Sequence, residues 1–256
     1  MELNLAGRTV LITGGSKGIG LGCAKRFASE GCNLVLVARS EGQLKEAADT
    51  IRKSAQVNVR TLALDLSIDA QRDRLVREVP DIDVLVNNAG AIPGGNIFDV
   101  DDKAWRTGWE LKVFGYVNLT RAYFTLMKEK KRGVIINICG AGGETLSFGY
   151  IAGAAGNASL MAFSRAMGGT SLDWGVRVLA INPGPVETDR VVYLAKQRAA
   201  SHGDESRWRD DFKRMPYGRP ADVDEIAPMV VFLASDLSRY VSGTVVTIDG
   251  GLQHHR

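Results

Sequence analysis

The chain has 256 residues, 45% of them hydrophobic and 24% charged, enough to bury one large core and suited to a single α/β domain. Its net charge of +3 is spread along the sequence, and the one dense basic run, KEKKR at 128–132, reads as a solvated helix end, so no nucleic-acid partner is expected. Three cysteines (Cys23, Cys32, Cys139) at no metal-like spacing and only three histidines argue against a disulfide framework and a zinc site, and fit a reducing compartment.

In chain order, apolar runs rich in Val, Ile and Leu fall at 8–13 (RTVLIT), 33–38 (NLVLVA), 59–64 (VRTLAL), 83–88 (DVLVNN), 133–138 (GVIINI), 176–181 (VRVLAI) and 244–249 (TVVTID). Their near-continuous hydrophobicity predicts strands covered on both faces. Between them lie segments with helical spacing, such as LGCAKRFASEG, EGQLKEAADTIRKSA and ADVDEIAPMVVFLAS. This alternation predicts βαβ units in a doubly wound parallel sheet, with residues 1–256 forming a single domain. No basic n-region precedes the first apolar run and no apolar stretch reaches membrane length, so a soluble, cytoplasmic protein without a membrane partner is expected. The segment 188–218 breaks the strand rhythm. It reads either as a helical lid over a small-molecule substrate or as a surface helical pair; Tyr193, Trp208, Phe212 and Met215 are its candidate substrate-facing residues.

The glycine-rich TGGSKGIG, Thr13 to Gly20, follows the first strand and opens directly into a helix. Glycines let the backbone turn tightly and approach a pyrophosphate, and the helix N-terminus adds free N–H groups and positive dipole. At the end of the second strand, where an acidic residue would hold a ribose 2′-hydroxyl, the chain reads VARS. The guanidinium of Arg39, with Lys17 nearby, suits a 2′-phosphate, so NADP(H) is preferred. NAD(H) stays possible if Arg39 stacks on adenine or faces solvent.

Taken together, TGGSKGIG, the Asp65 of LDLS, NNAG at 87–90, PGPVET at 183–188, GRP at 218–220 and VSGTVVTIDGG at 241–251 resemble the short-chain dehydrogenase/reductase family. The resemblance implies a Rossmann-type sheet of about seven strands and a homo-oligomer, tetramer or dimer. It places Gly14, Ser16, Lys17, Gly18, Ile19 and Gly20 at the pyrophosphate and Arg39 at the adenosine ribose. Asp65 and Leu66 would lie at adenine, Asn87, Ala89 and Gly90 beside the cofactor, and Pro183, Gly184, Val186 and Thr188 around the nicotinamide amide.

The family works with an Asn, Ser, Tyr and Lys tetrad, and the resemblance puts other residues at all four places. Lys112 stands at the asparagine position, Gly140 at the serine, Gly153 at the tyrosine and Asn157 at the lysine. Sliding the register to Tyr150 supplies no lysine, because none occurs between Lys131 and Lys196. Lys112 reads either as a cation reaching into the vacated space or as a surface lysine paired with a neighbour such as Glu110. On a continuous helix Tyr150 would aim its phenol away from position 153, which favours a packing or pocket role unless the chain deviates there. Asn157 reads as a ribose hydrogen-bonder or as the N-cap of a late-starting helix, and Cys139 as a small buried strand-end residue rather than a nucleophile. The functional expectation is an oxidoreductase on a carbonyl/alcohol pair using Lys112, with Tyr150 or water as proton source. The alternatives are a silent dinucleotide-binding sensor or partner subunit, and a lyase or isomerase on the same fold.

Overall fold

The computed structural model describes residues 2–90, 92–201 and 203–254. The apolar runs form β1 (Thr9–Thr13), β2 (Asn33–Ala38), β3 (Val59–Ala63), β4 (Val84–Asn87), β5 (Gly133–Ile138), β6 (Val176–Pro183) and β7 (Val245–Ile248). They make one seven-stranded sheet in the order β3-β2-β1-β4-β5-β6-β7, with every pairing parallel. Alternate side chains separate into two layers, as the pleat requires. Val10, Ile12, Leu34, Leu36, Val84 and Val86 meet α1 (Gly18–Ser29), α2 (Glu41–Ser54) and α9 (Ala227–Ala234) on one face. Leu11, Val35, Leu85, Ile135 and Val178 meet α3 (Asp69–Glu78) and α5 (Gly115–Glu129) on the other.

Strand order reverses between β1 and β4, so the chain leaves their carboxyl ends in diverging directions and opens a crevice there. The buried Thr13 closes its floor: its Oγ1 accepts the N–H groups of Asn88 (2.9 Å) and Ala89 (3.0 Å), tying the end of β1 to the loop after β4. The remaining α-helices among the described residues are α4 (Asp102–Trp109), α6 (Gly142–Thr145), α7 (Ile151–Thr170) and α8 (Asp189–Ser201). A π-helical turn, Glu110–Phe114, joins α4 to α5. Such a turn widens the helix and re-aims its side chains, and it often marks a functional site.

The late-start alternative for α7 is corrected: the helix runs unbroken from Ile151, so Asn157 lies in its second turn and caps nothing. Gly153 and Gly156 are retained in it for close packing rather than for a helix break. A Cβ at Gly156 would stand 2.9 Å from Ile92 Cδ1 and 3.2 Å from Trp109 Nε1. Among the described residues no helix is long and apolar enough to cross a membrane, and no cluster of His, Cys, Asp and Glu suited to a metal ion occurs.

Candidate active site

One cleft lies over the carboxyl ends of the strands, lined by the loops after β1, β2, β4, β5 and β6 and by α8. In the glycine loop, Gly14 (φ +66°) and Gly18 (φ +53°) adopt left-handed backbone that other residues rarely take. Lys17, extended at φ −159°, is the N-cap of α1, but no side chain caps this helix. The N–H groups of the first turn are therefore left to a ligand, and Gly18 and Ile19 line the cleft where it would lie. Arg39 is exposed on the cleft and forms no ion pair among the described residues. Lys17, also exposed, lies 3.7 Å from Asp189 of α8.

Gly14, Ser16, Lys17, Gly18, Ile19, Arg39, Leu66, Ala89, Gly90, Pro183, Gly184, Val186 and Thr188 all line this cleft, together with Lys112, Tyr150 and Asn157. Three expected cofactor residues lie off it. Gly20 sits beneath the loop, where a Cβ would fall 2.2 Å from the Gly14 carbonyl oxygen. Asp65 turns back to accept from the N–H (3.0 Å) and hydroxyl (2.7 Å) of Ser67. Burial pushes its carboxyl up, and the Ser67 bonds with the Arg39 charge outweigh that and hold it low. Asn87 is fully buried: its Nδ2 donates to Thr120 and to Asn137 Oδ1 (2.9 Å), and Asn137 in turn donates to Ser164. Its side chain ties β4 to β5 rather than reaching a ligand.

Lys112 sits in the middle of the π-helical turn. It does not pair with Glu110, which bonds Arg72 at 3.1 Å. Its stem runs inward over Gly90, where a Cβ would meet Lys112 Cδ at 2.6 Å, and its ammonium donates to the Cys139 carbonyl at 2.9 Å. No carboxylate lies within ion-pair distance of it among the described residues. Desolvation lowers its pKa from 10.5 to about 8; the adjacent Cys139 opposes the shift and the positive charge of Arg190 adds to it. Burial pushes the Cys139 thiol itself up to about 12, against the pull of Lys112, which leaves it a poor nucleophile.

Tyr150 precedes α7 with φ −140° and ψ 38°, outside helical geometry. A loop after β4 holds it there. Gly95 (φ +130°) donates its N–H to the Gly149 carbonyl (2.9 Å) and accepts from the Ile151 N–H (3.2 Å), forming an isolated parallel bridge. The deviation swings the ring forward over Gly153, where a Cβ would stand 2.0 Å from Tyr150 Cζ, and against Gly142, at 3.1 Å from Cδ1. The condition set for Tyr150, that the chain deviate from a continuous helix, is met: the half-buried phenol stands over position 153, lines the cleft, and its hydroxyl has no hydrogen-bond partner among the described residues. Asn157 is buried, with Oδ1 unpartnered and its amide beside Gly140, at 3.2 Å from a Cβ there. An orphaned buried amide oxygen costs about 1–3 kcal/mol, the kind of debt a ligand hydroxyl would relieve.

Of the lid candidates, Phe212 and Met215 line the cleft. Tyr193 does not: it is exposed, with its hydroxyl bound by Gln197. Trp208 packs edge-on against Phe212 at 5.4 Å and serves as its backing. Two contributors were missed in the sequence. Arg190 of α8 lines the cleft and donates to the Ile92 carbonyl; its signal was a cation two residues beyond Thr188. Glu144 accepts from Asn182 Nδ2 (2.8 Å) and Thr247 (3.2 Å), fastening α6 beneath the Tyr150 ring to β6 and β7; nothing local in the sequence announces it.

Residues 8–199 match the family model described as short chain dehydrogenase. The chain is 31% identical to a 3-oxoacyl-[acyl-carrier-protein] reductase of Chlamydia muridarum, over 98% of this chain and 100% of that protein. It is 33% identical to the oxidoreductase UcpA of Salmonella typhimurium, over 96% and 95% respectively. L-Sorbose reductase from Gluconobacter frateurii, solved with NADPH and L-sorbose, superposes with a TM-score of 0.90 at 31% identity, covering 99% of both chains.

Proposed function

The chain belongs to the short-chain dehydrogenase/reductase family, and from that premise we propose that it is an NADP(H)-dependent oxidoreductase interconverting a carbonyl and an alcohol through a rearranged site. Lys112, Tyr150 and Asn157 would form its reacting end. The observation that carries this reading is Lys112 turned inward with its ammonium beside the cleft wall at Cys139. The uncapped start of α1 fits a pyrophosphate and the unpaired Arg39 fits a 2′-phosphate, in keeping with the NADPH bound by the sorbose reductase.

When bound, the dinucleotide supplies or takes the hydride. The rest falls to side chains. In the reducing direction Lys112, protonated below about pH 8, polarises the carbonyl oxygen and delivers a proton to the alkoxide as it forms. The unpartnered Tyr150 hydroxyl donates a second hydrogen bond that orients that oxygen. Asn157 offers its amide to a ribose hydroxyl. The family tetrad, on this reading, has been replaced: Gly153 removes one tyrosine and makes room for another from three residues upstream. The segment 188–218 acts as the lid, with Phe212 and Met215 excluding water.

The test is NADPH oxidation across a panel of ketones and aldehydes. Turnover with at least one, falling by ~10²- to 10⁴-fold in Lys112→Ala, supports the proposal. Tight NADPH binding with no turnover would favour a silent dinucleotide-binding protein, and substrate conversion without cofactor oxidation a lyase or isomerase.

A further inference from the structure

Arg190 stands in the first turn of α8, half-buried on the cleft wall. Among the described residues it makes one hydrogen bond, to the Ile92 carbonyl, although a guanidinium offers five donors. No carboxylate lies within ion-pair distance of it among the described residues. Two acids of the cleft wall are engaged elsewhere, Asp189 facing Lys17 at 3.7 Å and Asp211 pairing with Arg198 at 2.9 Å, and the exposed Glu187 lies on the wall without an ion pair to Arg190 among the described residues. Its charge is felt at the Lys112 ammonium, which likewise has no acidic partner. The reacting end of the cleft therefore holds two cations, neither with a carboxylate within ion-pair distance among the described residues. Charges withdrawn from water are ordinarily paired directly, and neither of these is.

We infer that the substrate carries a carboxylate, and that Arg190 binds it while Lys112 and Tyr150 engage the carbonyl. The inference deepens the carbonyl-reducing reading above and rests on it. The division of labour follows from shape. A planar guanidinium grips a carboxylate through two parallel N–H···O bonds, whereas an ammonium is a point charge suited to a single oxygen. Lys112 is anchored beside Gly140 through Cys139, while Arg190 comes from the opposite wall, on α8, and reaches the loop that holds Tyr150. The carboxylate stays unchanged through the reaction and serves only to fix which end of the substrate enters. Arg190 is thus a specificity-determining residue.

The experiment is calorimetric titration of the protein–NADP⁺ complex with linear oxo-carboxylates, beginning at pyruvate and lengthening by single methylenes, each compared with its methyl ester. At least one acid is expected to bind roughly 10- to 100-fold more tightly than its ester, the worth of a charged hydrogen-bond pair. Arg190→Gln is expected to close that gap, Arg190→Lys to keep part of it, and NADP⁺ affinity to change little in either. The inference is overturned if no acid outbinds its ester, or if Arg190→Gln weakens NADP⁺ instead, which would assign the guanidinium to the cofactor. Turnover of neutral ketones without any preference for acids would leave the reductase reading standing and remove this one. Tight acid binding without turnover would do the reverse.

Discussion

The ring of Tyr150 occupies the space that a side chain on Gly153 would fill: a Cβ there would lie 2.0 Å from Tyr150 Cζ. A glycine in the first turn of a helix costs about 1 kcal/mol relative to alanine, and here the cost is met because the helix needs that space for a phenol arriving from outside it.

Gly153→Ala should therefore destabilise the protein by about 1–3 kcal/mol through overpacking. In a Tyr150→Ala background the sign should reverse, with alanine at 153 stabilising by roughly 0.5–1 kcal/mol through helix propensity. Urea denaturation of the four proteins in this cycle measures the coupling. Additive effects would mean that the two residues do not share that space.

Lys112 has a lower pKa folded, about 8, than the ordinary 10.5, because its ammonium is desolvated. The folded state thus sheds its proton before the unfolded chain does. The penalty for burying the charge is complete below about pH 8 and is relieved as pH rises from there toward 10.5. Lys112→Met, lacking that proton, should be more stable than the parent at pH 7 and lose its advantage across this window. Parallel stability curves for the two proteins from neutral pH upward would contradict the assignment.

Cys139 contributes its carbonyl to Lys112, not its thiol. With the thiol near 12 and only 5% of the residue exposed, iodoacetamide at pH 8 should leave NADPH oxidation intact over the time in which a free thiol is consumed. Cys139→Ala should retain most of kcat. Rapid inactivation traced to Cys139 would restore it as a nucleophile.

Arg39 is exposed on the cleft and forms no ion pair among the described residues. Arg39→Ala should raise the Kd for NADPH by roughly 10-fold or more, the worth of a charge-assisted contact, while NADH affinity moves much less. Fluorescence titration of both nucleotides decides this, and equal losses would place Arg39 on the adenine face instead.

The sheet and its switch point were legible in the chain because parallel strands buried on both faces need runs such as NLVLVA and GVIINI. The glycine loop was legible because its geometry is local. Tyr150 was not. Reading 150–157 as one helix aims the phenol backwards, and what turns it forward is a bridge to Gly95, 55 residues away in sequence. Asn87 and Lys112 show the same limit from both sides: Asn137 on β5 draws one away from the cleft, and the Cys139 carbonyl just beyond β5 draws the other toward it. Periodicity reports which residues share a face, but not which carbonyl across the sheet claims their side chains.

The most direct test of the account is the structure of the protein with NADP⁺ and a bound alcohol or carbonyl ligand. The account predicts Lys112 Nζ and the Tyr150 hydroxyl both within about 2.6–3.2 Å of the reacting oxygen, with Asn157 on a ribose hydroxyl. Lys112 still held on Cys139 with no contact to the ligand, and Tyr150 turned from it, would contradict it.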